Sequence, residues 1–364
     1  MPSPRRTRNP QQNGDKPDSR AQARFLALLT TVQRDIDRRL ATYLDQRIAD
    51  ATHLAPEVGL MVRALSDLCR RGGKRLRPAL LVAGYRAVSP SKKLTLALEA
   101  GVALELLQAY FLIHDDWMDG DVTRRGGPTV HAFLSRRLRG EHLGAASAIL
   151  AGDYAAALAL EVLGQLSLRE PFVKRSFAAF AEMQLAAVAG QQIDLVARAT
   201  DVEAGYALKT GSYTVRGPLK LGAILAGGSA RTLKTLEKVA TPLGIGFQLR
   251  DDLLSAFGDP ARTGKPLGND LRAGKRTLLL IEALRRARGS ERVLLKRVVG
   301  NPKAKEGELR RALSVMDTCG ARAAIEVRVA DLRDQALNAL GSGLSPEGTT
   351  LLTGAIRALT ERRA

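Results

Sequence analysis

Apolar residues recur at helical spacing along almost the whole chain. Between Ala21 and Ile48 the positions Phe25, Leu28, Leu29, Val32, Ile36, Leu40 and Leu44 follow the three-to-four-residue repeat of an amphipathic helix. Similar segments follow, divided by turn chemistry at Gly72-Gly73, Ser89-Pro90, Gly126-Gly127-Pro128, Pro171, Arg216-Gly217-Pro218, Gly258-Asp259-Pro260, Gly264-Lys265-Pro266 and Gly300-Asn301-Pro302. The intervals are mostly helix-sized, and Pro242 with Gly244 is expected to start or kink a further helix. This pattern predicts an all-α fold. Residues 1–20 are polar, with Pro, Gly, Asn and Arg, and are expected to form a disordered basic tail. No Pro- or Ser-rich linker and no fixed-period repeat divides residues 21–364, which are read as one large helical domain.

Composition supports helices over strands: 45% of the residues are hydrophobic but only 4% aromatic, and β-branched runs are short. The formal net charge of +19 raises nucleic-acid binding as a possibility. The arginines are scattered, however, and no aromatic-interleaved basic motif, zinc-ligand spacing or helix-turn-helix signal reads bases, so no nucleic-acid partner is expected. The two cysteines, Cys69 and Cys319, offer no disulfide framework, and a reducing cytoplasmic setting is expected. The N-terminus lacks the apolar core of a secretory signal. The longest apolar stretch, Val102 to Ile113, is too short to span a bilayer, so no integral membrane segment is expected.

That same stretch runs into Asp115-Asp116-Trp117-Met118-Asp119. Carboxylates four residues apart share a helix face at about 5–6 Å between Cβ atoms, close enough to hold hard divalent cations and costly without a counter-charge. An isolated motif of this kind is as often a solvated acidic helix end. A second pair, Asp251-Asp252, lies between Phe247-Gln248-Leu249-Arg250 and Leu253-Leu254, again within an apolar helical stretch. Two such pairs in one helical chain suggest helices that face each other across a cavity, where five carboxylates hold several Mg²⁺ ions and these grip a diphosphate. Gln108, Phe111, Asp115 and Asp119 fall on one helical stripe. His53, His114, His131 and His142 show no metal-ligand spacing, and His114 and Trp117 are read as packing residues.

At this point the chain resembles the polyprenyl synthetase family, the trans-isoprenyl diphosphate synthases, over most of its length beyond the tail. The resemblance is carried by Gly72-Gly73-Lys74-Arg75-Leu76-Arg77-Pro78, Glu105 to Gln108 leading into His114-Asp115-Asp116, and Thr123-Arg124-Arg125-Gly126. It continues through Gly190-Gln191-Gln192-Ile193-Asp194-Leu195, Lys209-Thr210, Gln248 to Asp252, and Gly264-Lys265-Pro266 to Lys275. It implies the isoprenoid synthase fold, a single helical bundle around a central cavity, and a homodimer. It implies Asp115, Asp116, Asp119, Asp251 and Asp252 as metal ligands for three Mg²⁺ per active site. Lys74, Arg77, Gln108 and Arg125 are implied for isopentenyl diphosphate. Arg124, Lys209, Thr210, Gln248, Lys265 and Lys275 are implied for the allylic diphosphate, with Lys209, Thr210 and Gln248 catalytic. The family usually has a third aspartate where this chain has Ser255. Asp194 matches a family position near the metals, with a paired or capping aspartate as the equal alternative.

The implied reaction is a magnesium-dependent prenyl transfer: the allylic diphosphate ionises, isopentenyl diphosphate attacks the carbocation, and a proton is lost. Product length in the family is read just ahead of the first aspartate motif, at Tyr110 and Phe111 here. Phe111 lies one turn below Asp115 on the same face, with Tyr110 offset to one side. Two adjacent aromatics point to a short product, farnesyl diphosphate before geranylgeranyl diphosphate. A class I terpene cyclase is a rival, opposed by the Gly72 to Pro78 segment and the paired second aspartates. A non-catalytic subunit is opposed by the retention of both clusters.

Overall fold

The computed structural model describes residues 16–196, 202–259 and 268–362. Long helices account for nearly all of it: α1 (Lys16–Leu54), α2 (Pro56–Arg70), α3 (Leu76–Val88), α4 (Thr95–Met118), α5 (Val130–Leu138), α6 (Glu141–Gly164) and α7 (Glu170–Val196). After α8 (Val202–Tyr206) the chain enters a π-helical stretch, Ala207–Arg216, that continues into α9 (Gly217–Ala226). The long α10 (Ala230–Phe257) precedes a set of mostly shorter helices, α11 (Asn269–Arg272), α12 (Leu278–Arg286), α13 (Gly289–Val298), α14 (Glu306–Thr318), α15 (Ala321–Asn338) and α16 (Pro346–Thr360). The only sheet among the described residues is a two-stranded antiparallel hairpin, Thr123–Arg124 against Gly127–Pro128.

The predicted apolar stripe of the first helix is its buried face, with Phe25, Val32, Ile36, Leu40 and Leu44 all sealed in the core. The helix starts earlier than expected, at Lys16, inside the segment read as tail. One large core joins α1, α3, α4, α6 and α9, and a smaller one joins the lower half of α10 to the helices after it. The α4 helix lies at the centre of the large core, so its residues are buried nearly all round, from Ala97 to Ala109. Both α4 and α6 are long and apolar enough to cross a membrane by length and composition, exceeding the Val102 to Ile113 run. In α4, however, 72% of that apolar stretch is buried against other helices. Cys69 and Cys319 are free thiols, and burial raises the pKa of Cys69 to about 12.

Two expected breaks are absent. Pro242 sits inside an unbroken α10, and Arg216-Gly217-Pro218 marks a change from π to α winding, with proline at the start of α9, where its missing N–H costs nothing. The π stretch inserts extra backbone into the bundle, and two glycines make room for it. A Cβ on Gly190 of α7 would lie 2.5 Å from the Lys209 amide nitrogen, and one on Gly244 of α10 would lie 2.7 Å from the Gly211 Cα. These close approaches fix where Lys209 and Thr210 point. Gly244→Ala should therefore destabilise the fold by about 1–3 kcal/mol through overpacking against backbone. Gly307→Ala, where the added Cβ meets nothing within 4 Å, should not. Thermal unfolding that leaves the two variants equal to each other would contradict this packing.

Candidate active site

The first aspartate cluster ends α4, and the hairpin after it folds back onto the cluster. Arg125 and Gly126, the two central residues of the hairpin turn, both have positive φ, as the tightest hairpin turns require. Arg71 clamps the hairpin by donating to the carbonyls of Arg124 and Pro128, at 2.9 and 2.8 Å. Arg124 is thereby returned to Asp116, to which its Nε donates at 2.7 Å, and to Asp121 at 3.1 Å. Asp116 is fully buried. Burial raises its pKa to about 6 against the opposing pull of Arg124, and its Oδ2 has no hydrogen-bond partner among the described residues.

Asp115 and Asp119 face lysines from distant parts of the chain. Lys209, from the π stretch, lies 3.6 Å from Asp115 and 2.6 Å from Asp194 of α7. Lys275 lies 3.1 Å from Asp119. Burial works against both ammonium groups, yet the carboxylates hold each above its ordinary pKa, Asp115 and Asp194 for Lys209, and Asp119 and Asp270 for Lys275. Asp194 is thus a paired aspartate beside the first cluster.

The second cluster, on α10, is wired to the same π stretch. The Thr210 hydroxyl donates to Gln248 Oε1 at 2.6 Å, and Gln248 Nε2 donates to Asp252 at 2.8 Å. Tyr206 donates to the other oxygen of Asp252 and accepts from the Leu278 amide. Asp252 is buried, which raises its pKa to about 7, while Tyr206 and Gln248 pull it down. Asp251 is more exposed and pairs with Arg362, near the chain end. Beside the second cluster lies a cavity of about 170 Å³ lined by Asp194, Lys209, Asp251, Asp252, Ser255 and Lys275, among others, and its two lysines are those that pair with Asp115 and Asp119. Ser255 occupies the expected third position of the second cluster, with its buried hydroxyl lacking a hydrogen-bond partner among the described residues. Asp270 of α11 lines the same cavity.

Lys209 also lines a second cavity, of about 190 Å³, that runs below Asp115. Its walls include Tyr110, Phe111, Val188, Gln191 and Tyr213. Tyr110 packs against both Phe111 and His114, with ring centroids 4.9 and 4.8 Å apart, and Phe111 lies 4.8 Å from Tyr213. Tyr110 is therefore part of the wall along with Phe111 and is not set aside from it. Arg77 stacks over Tyr213 at 4.4 Å and donates to Thr214 at 2.7 Å. Gln108 is buried nearby in sequence from Phe111, with its Oε1 unpartnered among the described residues. Partial burial of its ammonium group and the neighbouring Arg362 hold Lys74 below its ordinary pKa, with Asp251 opposing.

Most of the expected residues therefore converge, while Lys265 lies outside the described residues. Sequence reasoning missed Tyr206, Asp270, Arg362 and Tyr213, none of which stands in a motif that announces its partner. Trp117, expected to pack, is 44% exposed. His114 is structural as expected: its ring faces the Ile149 carbonyl at 3.1 Å and leaves no space for a Cβ on Gly152.

No three acidic, imidazole or thiol groups among the described residues are gathered as a ready-made metal site. Instead Asp115, Asp116, Asp119 and Asp251 each hold a lysine or arginine. The donor set, carboxylate oxygens with an unpartnered Asp116 oxygen and a Ser255 hydroxyl, is nonetheless that of a hard divalent cation. Two acidic clusters joined through Lys209 and Lys275, beside an apolar cavity, define a helical enzyme that binds a phosphorylated apolar molecule with divalent cations.

The polyprenyl synthetase family model matches residues 59–316. The chain belongs to that family, whose members are magnesium-dependent prenyltransferases, and it is an isoprenyl diphosphate synthase of the short-chain type. It is 35% identical over 287 residues to the geranylfarnesyl diphosphate synthase of Aeropyrum pernix, covering 76% of this chain and 85% of that protein. It is 37% identical over 238 residues to the farnesyl diphosphate synthase of Escherichia coli, covering 62% and 75%. Its fold matches the geranylgeranyl pyrophosphate synthase of Corynebacterium glutamicum, solved with isoprenyl diphosphate and magnesium, with a TM-score of 0.86 at 34% identity over 92% of this chain and 99% of that one.

Lys209 and Lys275 stand in the place of a counter-cation at the first cluster, so removing one leaves repelling carboxylates. Lys209→Met should lower the melting temperature of the metal-free protein by a few degrees, and millimolar Mg²⁺ should raise it more than in the unchanged protein. An equal Mg²⁺ shift in both proteins would refute the stand-in role.

Proposed function

We propose that the protein condenses isopentenyl diphosphate with dimethylallyl or geranyl diphosphate to give farnesyl diphosphate. The observation that carries this reading is the joint position of Lys209. It reaches Asp115 and Asp194, its neighbour Thr210 is linked through Gln248 to Asp252, and its stem borders the aromatic-walled cavity. A diphosphate at this junction has its apolar chain in the cavity below.

In this reading Asp115, Asp116, Asp119, Asp251 and Asp252 hold three Mg²⁺, with Ser255 and Asp270 placed to order water around the second cluster. When bound, the ions draw charge from the allylic diphosphate and make it a leaving group. Lys209 and Lys275, released from their carboxylates, then face the diphosphate oxygens together with Arg124, and Lys265 is assigned to the same diphosphate. The hydroxyl of Thr210 and the amide oxygen of Gln248 point their dipoles at the carbon that becomes cationic. Lys74, Arg77, Gln108 and Arg125 hold isopentenyl diphosphate so that its double bond attacks that carbon. The C–O bond to diphosphate breaks, the new C–C bond forms, and the proton lost goes to the departing diphosphate. The apolar walls exclude water that would quench the cation.

The closely packed Tyr110 and Phe111 rings support a C15 stop, since a longer chain must displace them. A C20 product is the second reading, favoured by the likeness to the Corynebacterium geranylgeranyl pyrophosphate synthase. We also propose a homodimer. It is supported by the apolar side chains that α6 leaves exposed, Leu143, Ile149, Leu150 and Leu160, and by Leu185 and Val188 on α7.

Incubation with isopentenyl diphosphate, Mg²⁺ and C5, C10 or C15 allylic diphosphates, followed by product sizing, tests the reaction. A C15 diphosphate is expected, and joint Phe111→Ala and Tyr110→Ala substitution should shift the product to longer chains. Release of a cyclic hydrocarbon without uptake of isopentenyl diphosphate would sink the reading. An unchanged chain length in the double variant would sink the steric account.

A further inference from the structure

The loop before α3 carries Lys74 and leads directly to Arg77, yet the residue between them that is most firmly held has no assigned task. Arg75 is 4% exposed and sits at the N-cap of α3 in the left-handed region, at φ 47° and ψ 38°. A long side chain has no intrinsic reason to adopt that backbone, so its surroundings must impose it. They do so through the guanidinium. Nε donates to Asp37 of α1 at 2.7 Å, Nη1 to Glu105 of α4 at 2.5 Å, and Nη2 to the Cys69 carbonyl of α2 at 2.7 Å. One side chain thus ties the loop to three helices. Gln33 of α1 adds a fourth tie, donating to the Gly73 carbonyl at 2.9 Å.

Glu105 is itself 4% exposed, and it lies one helical turn before Gln108 on α4. Arg75, which also pairs with Asp37, and Arg125 lie beside it. Arg125 lies over Gly73 so closely that a Cβ there would come within 3.0 Å of its Nη2. Burial holds Arg125 below its ordinary pKa, Arg75 and Arg77 add to that, and Glu105 opposes it. A buried arginine and glutamate are an expensive way to gain stability, because both must be desolvated. Geometry is the better explanation: the pair sets the conformation of the loop that carries Lys74 and Arg77 and that packs against Arg125 at Gly73.

We propose that Arg75 and Glu105 are positioning residues for isopentenyl diphosphate, a reading that rests on the function proposed above. They touch neither substrate; they hold the cations that do, and they link that half of the site to the helix that carries the first aspartate cluster.

The test is steady-state kinetics on Glu105→Gln and Arg75→Lys, varying each substrate in turn. Lysine keeps the charge of Arg75 but cannot reach three acceptors at once. Both variants should raise the KM for isopentenyl diphosphate by about tenfold or more, with the KM for the allylic diphosphate within about twofold. Equal rises for both substrates would mean a loosened fold, and no rise would mean no positioning role; either overturns the proposal. A third variant, Arg75→Met with Glu105→Leu, removes the charges together and should fold near the original melting temperature. Its KM for isopentenyl diphosphate should stay raised, and a return to the unsubstituted value would also overturn the proposal. Absence of condensation in the unsubstituted protein would instead remove the proposed function, so the two failures are distinguishable.

Discussion

The structure is organised around a repulsion. Carboxylates from α4 and α10 are joined through Lys209 and Lys275, which pair with the α4 cluster and line the cavity of the α10 cluster, and two of the carboxylates, Asp116 and Asp252, are buried. Such an arrangement persists only if positive charge or hydrogen-bond donors are delivered to it. The fold delivers them from afar: Lys209 from a π stretch, Lys275 from beyond α11, Arg124 from a hairpin turned back on its own cluster, and Arg362 from the chain end. Each contact supplies a counter-charge that a bound cation can replace. That exchange is how a protein can keep a diphosphate site assembled before its ligands arrive.

The same logic explains the packing beside the site. Lys209 and Thr210 have to sit between α7 and α10, and a regular α-helix with side chains at the contacts would not fit. The π winding and the small residues Gly190 and Gly244 solve this together. Below, the aromatic wall of Tyr110, Phe111 and Tyr213 carries Arg77 over the Tyr213 ring, so the wall of the apolar cavity and a cation are in direct contact.

Much of this was legible in the sequence, because helical period and local spacing act over short distances. The buried stripe of α1, the shared face of Gln108, Phe111, Asp115 and Asp119, and the second acidic pair all follow from residues a turn or two apart. What the sequence hid is non-local or irregular. Arg362 meets Asp251 across more than a hundred residues, Asp270 stands in a one-turn helix, and Tyr206 precedes a π stretch whose five-residue bonding leaves no period to detect. Pro242 was misleading because the packing of α10 overrides its tendency to break a helix. Trp117 was misleading because a large ring beside a buried acidic motif does not by itself reveal which way the helix turns it.

The central claim is that the two acidic clusters act as one cation-binding site, with lysines held in reserve. A crystal grown with Mn²⁺ and inorganic diphosphate tests it directly through the anomalous signal of the metal. The account predicts metal peaks against both Asp115 or Asp119 and Asp251, with Lys209 and Lys275 moved from the carboxylates to the diphosphate oxygens. Metal on one cluster alone, with both lysines still paired as they are now, would contradict it.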